Sequence, residues 1–164
     1  MESSAQARYQ RWFDYERDAF SKCLKSLESV PLDRRQEKSF LKAVSLLAHT
    51  MNARKVWLSR FQGRPLTNMV LFPEGLSLAE IESDWAIVQQ NWIDYLATLA
   101  PVELVRPFEY RSSDGGHFRS RIEDILDHLF GHSFYHRGQI AMLVREAGGQ
   151  PAATDYVYWT RETL

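Results

Sequence analysis

Apolar side chains recur at three- and four-residue steps through four separate stretches of this chain, a period that fits amphipathic helices and not strands. The first stretch lies between Ala5 and Leu27 and carries Tyr9, Trp12, Phe13, Phe20, Leu24 and Leu27. Pro31, in the turn Val-Pro-Leu-Asp, ends that pattern. A second runs roughly from Gln36 to Phe61, with Phe40, Val44, Leu47, Met51 and Leu58 on one stripe, and stops at Gly63 and Pro65. The third opens at Ser77-Leu78-Ala79-Glu80, which fits a capping box, the serine and glutamate side chains each satisfying a free backbone amide of the other. Its stripe continues through Ile81, Trp85, Val88, Trp92 and Leu96 to Pro101. The fourth spans about Arg121 to Ala147 and is terminated by Gly148-Gly149 and Pro151.

Between the third and fourth stretches the period changes. Val105, Phe108 and Tyr110 precede Ser-Ser-Asp-Gly-Gly, and His117 and Phe118 follow it, so Asp114-Gly115 reads as the turn of a short β-hairpin. The tail TDYVYWTRETL is aromatic enough to dock as a short closing helix begun at Thr154 or Asp155. The expected fold is therefore all-α: a four-helix bundle with a small β-hairpin before the fourth helix and a short C-terminal helix.

A length of 164 residues suits one domain, 1–164, and neither a repeat nor a linker-like segment divides it. No apolar run approaches the ~18–20 residues of a membrane span. The start, MESSAQARYQRW, lacks the basic-then-apolar order of a signal peptide. A single cysteine, Cys23, cannot form an internal disulfide, so a cytoplasmic location is expected, with the thiol a buried apolar filler. Net charge is −1 with both signs scattered, which argues against nucleic acid as a partner. A small-molecule substrate is the expected partner.

Four of the five histidines fall on two of the helices: His49 on the second, and His128, His132 and His136 on the fourth. The spacing i, i+4, i+8 puts the latter three on one stripe, with His128 and His136 roughly 12 Å apart along the axis. One ion needs imidazole nitrogens at ~2.0–2.1 Å, so it can use two adjacent members of the stripe but not all three. Spacing alone does not choose between the 128/132 and 132/136 pairs. A third ligand must come from another helix, and His49 is the candidate. A metalloprotease of the H-E-x-x-H type is not supported, because His132-Ser133-Phe134-Tyr135-His136 has serine where that glutamate general base would stand.

Among neighbouring residues, Asn52 lies i+3 from His49 and is a candidate for facing the pocket, and Gln139 is a candidate to hold a ring nitrogen of His136. Gly138 suggests a close helix approach, and Tyr135 reads as packing. Trp57, Trp85 and Trp92 read as core, one of them a candidate cleft wall. Arg54, Lys55 and Arg60 read as a solvated face.

At His136-Arg137-Gly138-Gln139-Ile140 the chain resembles the DinB-like (DinB/YfiT-like) family of metalloenzymes. The resemblance extends along nearly the whole chain. It includes Tyr9-Gln10-Arg11-Trp12, then Leu47-Ala48-His49 with Trp57-Leu58 and Phe61-Gln62-Gly63. Asp114-Gly115-Gly116 with Phe118 and the run Ile125-Leu126-Asp127-His128-Leu129-Phe130-Gly131-His132 follow, and Pro151, Asp155-Tyr156 and Trp159 close it. The resemblance implies an up-down-down-up helix order and a metal triad of His49, His132 and His136; His128 reads as a core or second-shell residue, or one that lines the pocket.

Three neutral imidazoles leave a coordination position open and suit zinc, nickel or iron, with cobalt and copper next, better than hard oxygen-loving ions. Characterised members of the family that the chain resembles attach low-molecular-weight thiols, such as bacillithiol, mycothiol or glutathione, to electrophiles; some are hydrolases or isomerases. The resemblance thus implies a metal-dependent thiol S-transferase or hydrolase, with a thiol as co-substrate, and a homodimer. The alternative is a non-catalytic, stress-related metal- or small-ligand-binding bundle.

Overall fold

The computed structural model describes residues 4–64, 68–112 and 114–163. Four long helices dominate: α1 (Ala5–Glu28), α2 (Lys38–Phe61), α3 (Leu78–Thr98) and α5 (Ile122–Glu146). A 3-10 turn at Leu32–Arg34 joins the first two. The single-turn helix α4 (Pro101–Leu104), the hairpin strands β1 (Pro107–Arg111) and β2 (His117–Arg121) and the closing helix α6 (Tyr156–Thr160) complete the order. The fold is the predicted helical bundle with its hairpin and tail.

Local chemistry sets the helix ends. Ser77 and Glu80 make the reciprocal bonds of the capping box at the start of α3. At the end of α2, Gly63 adopts φ +64° while its amide and that of Arg64 bond back to the carbonyls of Arg60 and Ser59. The same pair of bonds, with Gly148 at φ +81°, closes α5. Both are Schellman ends, in which glycine takes the left-handed position without a Cβ penalty. Pro65, predicted to help stop α2, lies outside the described residues. Pro101 does not merely end α3; it opens α4 at a position where a missing N–H costs nothing.

Contacts between helices define their directions. Lys55 pairs with Asp84 and Phe61 stacks on Tyr95, so α2 and α3 advance together and run parallel. Phe20 meets Trp85 while Phe13 meets Trp92, which makes α1 and α3 antiparallel. Tyr9 reaches Asp127, Glu16 reaches Arg137 and Ser26 reaches Gln150, so α1 and α5 are parallel. The order is up-down-down-up. Two consecutive parallel helices need a long return, and within it Val70, Leu71 and Phe72 lie beside α2.

Hairpin register pairs Phe108 with Ser120 and Tyr110 with Phe118, and Tyr110 packs edge-on against Trp57 of α2. Helix α6 docks through Tyr156 stacked on Trp12 and in edge contact with Tyr15, as the aromatic tail predicted. Asp155 occupies its N-cap position, without a side-chain capping bond. No helix among the described residues is long and apolar enough to cross a membrane.

At the bundle centre the core is not apolar. Arg54, predicted to be solvated, is only 3% exposed, and so is Glu16. Glu16 uses one carboxylate oxygen for Arg54 and the other for Arg137, each at 2.6 Å. Arg54 also donates to the Ser133 hydroxyl at 3.3 Å and lies near the faces of Phe13, Trp92 and Phe130. Arg137 donates to the Tyr15 hydroxyl at 2.9 Å. Tyr135 and Gly138 also depart from the sequence expectation. Tyr135 points outward and is exposed, and a Cβ on Gly138 would meet nothing within 4 Å, so no helix approaches closely there.

Glu16→Gln would leave two buried guanidinium groups with no counter-charge and is expected to cost about 3–5 kcal/mol in urea unfolding. Breaking the exposed Arg121–Asp124 pair should cost under about 1 kcal/mol in the same assay. Gly138→Ala, in open space on an exposed helix face, is expected to raise stability by roughly 0.5–1 kcal/mol.

Candidate metal centre

His132 and His136 lie one turn apart on α5, so their rings emerge from the same face. Opposite them, antiparallel α2 presents His49. The Nε2 atoms of His49 and His132 are 3.1 Å apart, and those of His132 and His136 are 3.0 Å apart. Ligand atoms of all three lie within 4.8 Å of one another. Ligand nitrogens of a tetrahedral site with bonds of ~2.0–2.1 Å stand roughly 3.3 Å apart, so the cluster is near the size an ion requires.

Hydrogen bonding sets which nitrogen carries the proton in two of the three rings. The Leu71 carbonyl can only accept, so Nδ1 of His49, 2.9 Å away, donates and Nε2 keeps its lone pair. Nδ1 of His136 donates likewise to Oε1 of Gln139 at 2.8 Å. Two lone pairs therefore face Nε2 of His132, which has at most one proton to offer. A cation relieves that conflict. The three histidines could hold a metal ion, with Leu71 and Gln139 supplying the outer hydrogen bonds that orient two of them.

Electrostatics point the same way. Burial pushes the His132 pKa down to about 4, assisted by His136, His49, His128 and Arg54. Burial also lowers His49, against the opposing bond to Leu71, and partial desolvation on the cavity wall lowers His128. Neutral imidazole is the form that ligates metal.

Beside the triad opens a cavity of about 790 Å³. His49 and His132 face it, and Trp57, Met69, Leu71 and Tyr110 are among its walls. Trp57 is thus the cleft-wall tryptophan, while Trp85 and Trp92 are core. No Asp or Glu stands among the described lining residues.

Gln139 bonds His136 as expected. His128 is exposed on the cavity wall, its ring 5.5 Å from that of His132, so it is not a core residue. Asn52 is buried but does not line the cavity; its Nδ2 donates to the Val70 carbonyl at 2.9 Å and so holds the return loop. Ser133, at the zincin glutamate position, points to Arg54. Cys23 is buried away from the triad, and burial pushes its thiol up to about 12.

Two contacts were not foreseen from the sequence. The Leu71 carbonyl bonds His49, and Phe72 stacks on the His49 ring at 3.7 Å between centroids. Neither has a local signal, since both come from a loop more than twenty residues downstream.

The DinB family model matches residues 1–163. The chain belongs to the DinB family. It is 25% identical over 118 residues to the protein named Protein DinB of Bacillus subtilis (strain 168), covering 68% of this chain and 67% of that one. No solved structure gives a significant match.

Acid should destabilise the metal-free protein in a specific window. An unfolded His132 takes its proton near pH 6.5 and the folded one only near 4, so the unfolded chain binds more protons between those values. Stability is then full above about pH 6.5 and falls as pH drops toward 4, at up to about 1.4 kcal/mol per unit. Chelator-treated protein should show a lower urea midpoint at about pH 5 than at about pH 7.5, and His132→Gln should flatten that slope. An unchanged slope in the variant would refute the assignment to His132.

Proposed function

We propose that the protein is a metal-dependent enzyme of the thiol S-transferase or hydrolase type, built on a divalent ion held by His49, His132 and His136. The observation that carries this reading is the meeting of three ring nitrogens, two with lone pairs assigned by their hydrogen bonds, at an open cavity that His49 and His132 face. A purely structural site would be closed by a fourth protein ligand, whereas this one faces a volume large enough for a small molecule.

Zinc, nickel or iron suits three imidazoles, and an ion of that kind lowers the pKa of a thiol or water that reaches its open position. The chain's own residues bind and orient. Leu71 and Gln139 hold two rings in the ligating tautomer, and Phe72 covers the His49 face. Trp57 and Tyr110 offer aromatic surface to the body of a substrate. With no carboxylate in the described walls, the nucleophile would be a thiol or water activated at the triad and not one deprotonated by an acidic side chain.

Elemental analysis of protein purified without an affinity tag is expected to give one metal ion per chain. His132→Ala should lose it, and chelation should lower the melting temperature of the parent protein only. Gln139→Ala should weaken metal affinity by about 10–100-fold. Conjugation assays with bacillithiol, mycothiol and glutathione should show turnover that stops on chelation and returns with metal. Stoichiometric metal without turnover on thiol conjugation or hydrolysis would favour the non-catalytic binder. Absence of metal, with a normally stable His132→Ala variant, would end both readings.

A further inference from the structure

Two arginines, Arg54 and Arg137, are buried at the bundle centre, and Arg60, partly buried on α2, lacks the counter-charge that they have. Arg54 and Arg137 share Glu16. Arg60, six residues further along α2, is partly buried and has neither an ion pair nor a side-chain hydrogen bond among the described residues. Its guanidinium lies 4.7 Å from the centroid of Trp57 and 5.6 Å from that of Tyr110, in the cavity that His49 and His132 also face. Aromatic faces attract the cation but leave its five N–H donors unused.

Nothing in the described cavity walls neutralises it. No Asp or Glu lines that space, and Arg64 adds a second, exposed cation. The rest of the lining mixes apolar residues, Ala53, Val56, Met69 and Leu71, with neutral polar ones such as Ser59, Asn68 and Ser112. Partial burial without a counter-charge disfavours the charged form, and the Arg60 pKa is accordingly lowered, chiefly by desolvation. Such a group gains most from a planar anion that accepts two parallel N–H bonds.

We infer that Arg60 is the anion-recognising residue of this cavity, and that its ligands are small molecules joining a carboxylate to an apolar or aromatic body. The carboxylate pairs with the guanidinium while the body lies against Trp57 and Tyr110. This deepens the proposed function, because the same cavity faces the triad, yet it requires no metal to be observed.

The test uses isotope-labelled, chelator-treated full-length protein, followed by NMR at the Trp57 indole and Arg60 guanidinium signals. Two probes of equal shape are titrated: phenylacetate and phenylacetamide. Phenylacetate should bind roughly tenfold or more tightly than the amide, as a charge-assisted bidentate pair implies. Arg60→Gln should erase that preference while the amide still binds, which shows an intact cavity. Arg60→Lys should keep part of it. Equal affinities in the parent protein, a preference that survives Arg60→Gln, or no shift from either probe overturns the inference. Metal content of the same preparation before chelation separates the two readings. A chain that binds no metal but keeps the Arg60-dependent preference fails the metal reading alone; a metal-binding chain without the preference fails this one alone.

Discussion

Glu16 is the point at which three helices of this bundle are tied together. Its two carboxylate oxygens reach Arg54 on α2 and Arg137 on α5, so one side chain of α1 sets the axial position of both partners. The indole of Trp92 brings in α3 by donating to the Arg54 carbonyl at 3.2 Å. Burying three charges carries a desolvation cost, and apolar replacements of similar volume are often as stable. Register is what such a cluster adds here: a slide of one turn would leave a guanidinium facing hydrocarbon. The histidines share that register. Arg137 follows His136 in the chain, and Arg54 bonds Ser133, which follows His132. A triad that must meet to within a few tenths of an ångström is thus carried on helices already locked against sliding.

Helix direction and site chemistry are linked through the return loop. Because α2 and α3 are parallel, the chain must travel back along α2 before the third helix begins. That path brings residues 70–72 beside the middle of α2. Val70 accepts from Asn52, Leu71 accepts from His49, and Phe72 stacks on the His49 ring. A connection demanded by topology therefore also selects the tautomer of a candidate ligand. The hairpin acts similarly on the other side, delivering Tyr110 to the cavity wall against Trp57.

Local signals were the legible ones. The capping box at Ser77, the two glycine helix ends and the Asp-Gly turn depend on residues close together in the chain, and each is present where its pattern lies. Periodicity located the stripes but could not grade them. Arg54 sits beside Lys55 in the sequence and looks equally solvated, yet its partner is a glutamate 38 positions earlier. Tyr135 looks like packing and is exposed because its helix turns that face outward. Gly138 suggested a close contact that no neighbouring element makes.

For the histidines the division is sharp. Their spacing on α5 and the position of His49 on a second helix follow from the sequence, because a helix places i and i+4 on one face whatever surrounds it. Which pair meets His49 depends on the offset between α2 and α5. That offset is a tertiary quantity, set by interlocking side chains and the Glu16 cluster, and it brings His132 and His136 into range while leaving His128 on the cavity wall. The proton positions on the rings were likewise settled only when a distant carbonyl and a neighbouring amide came within hydrogen-bond distance. Sequence thus determined which side chains were available and on which helix face; long-range packing decided which of them converge, since convergence requires a distance between elements that no local pattern encodes.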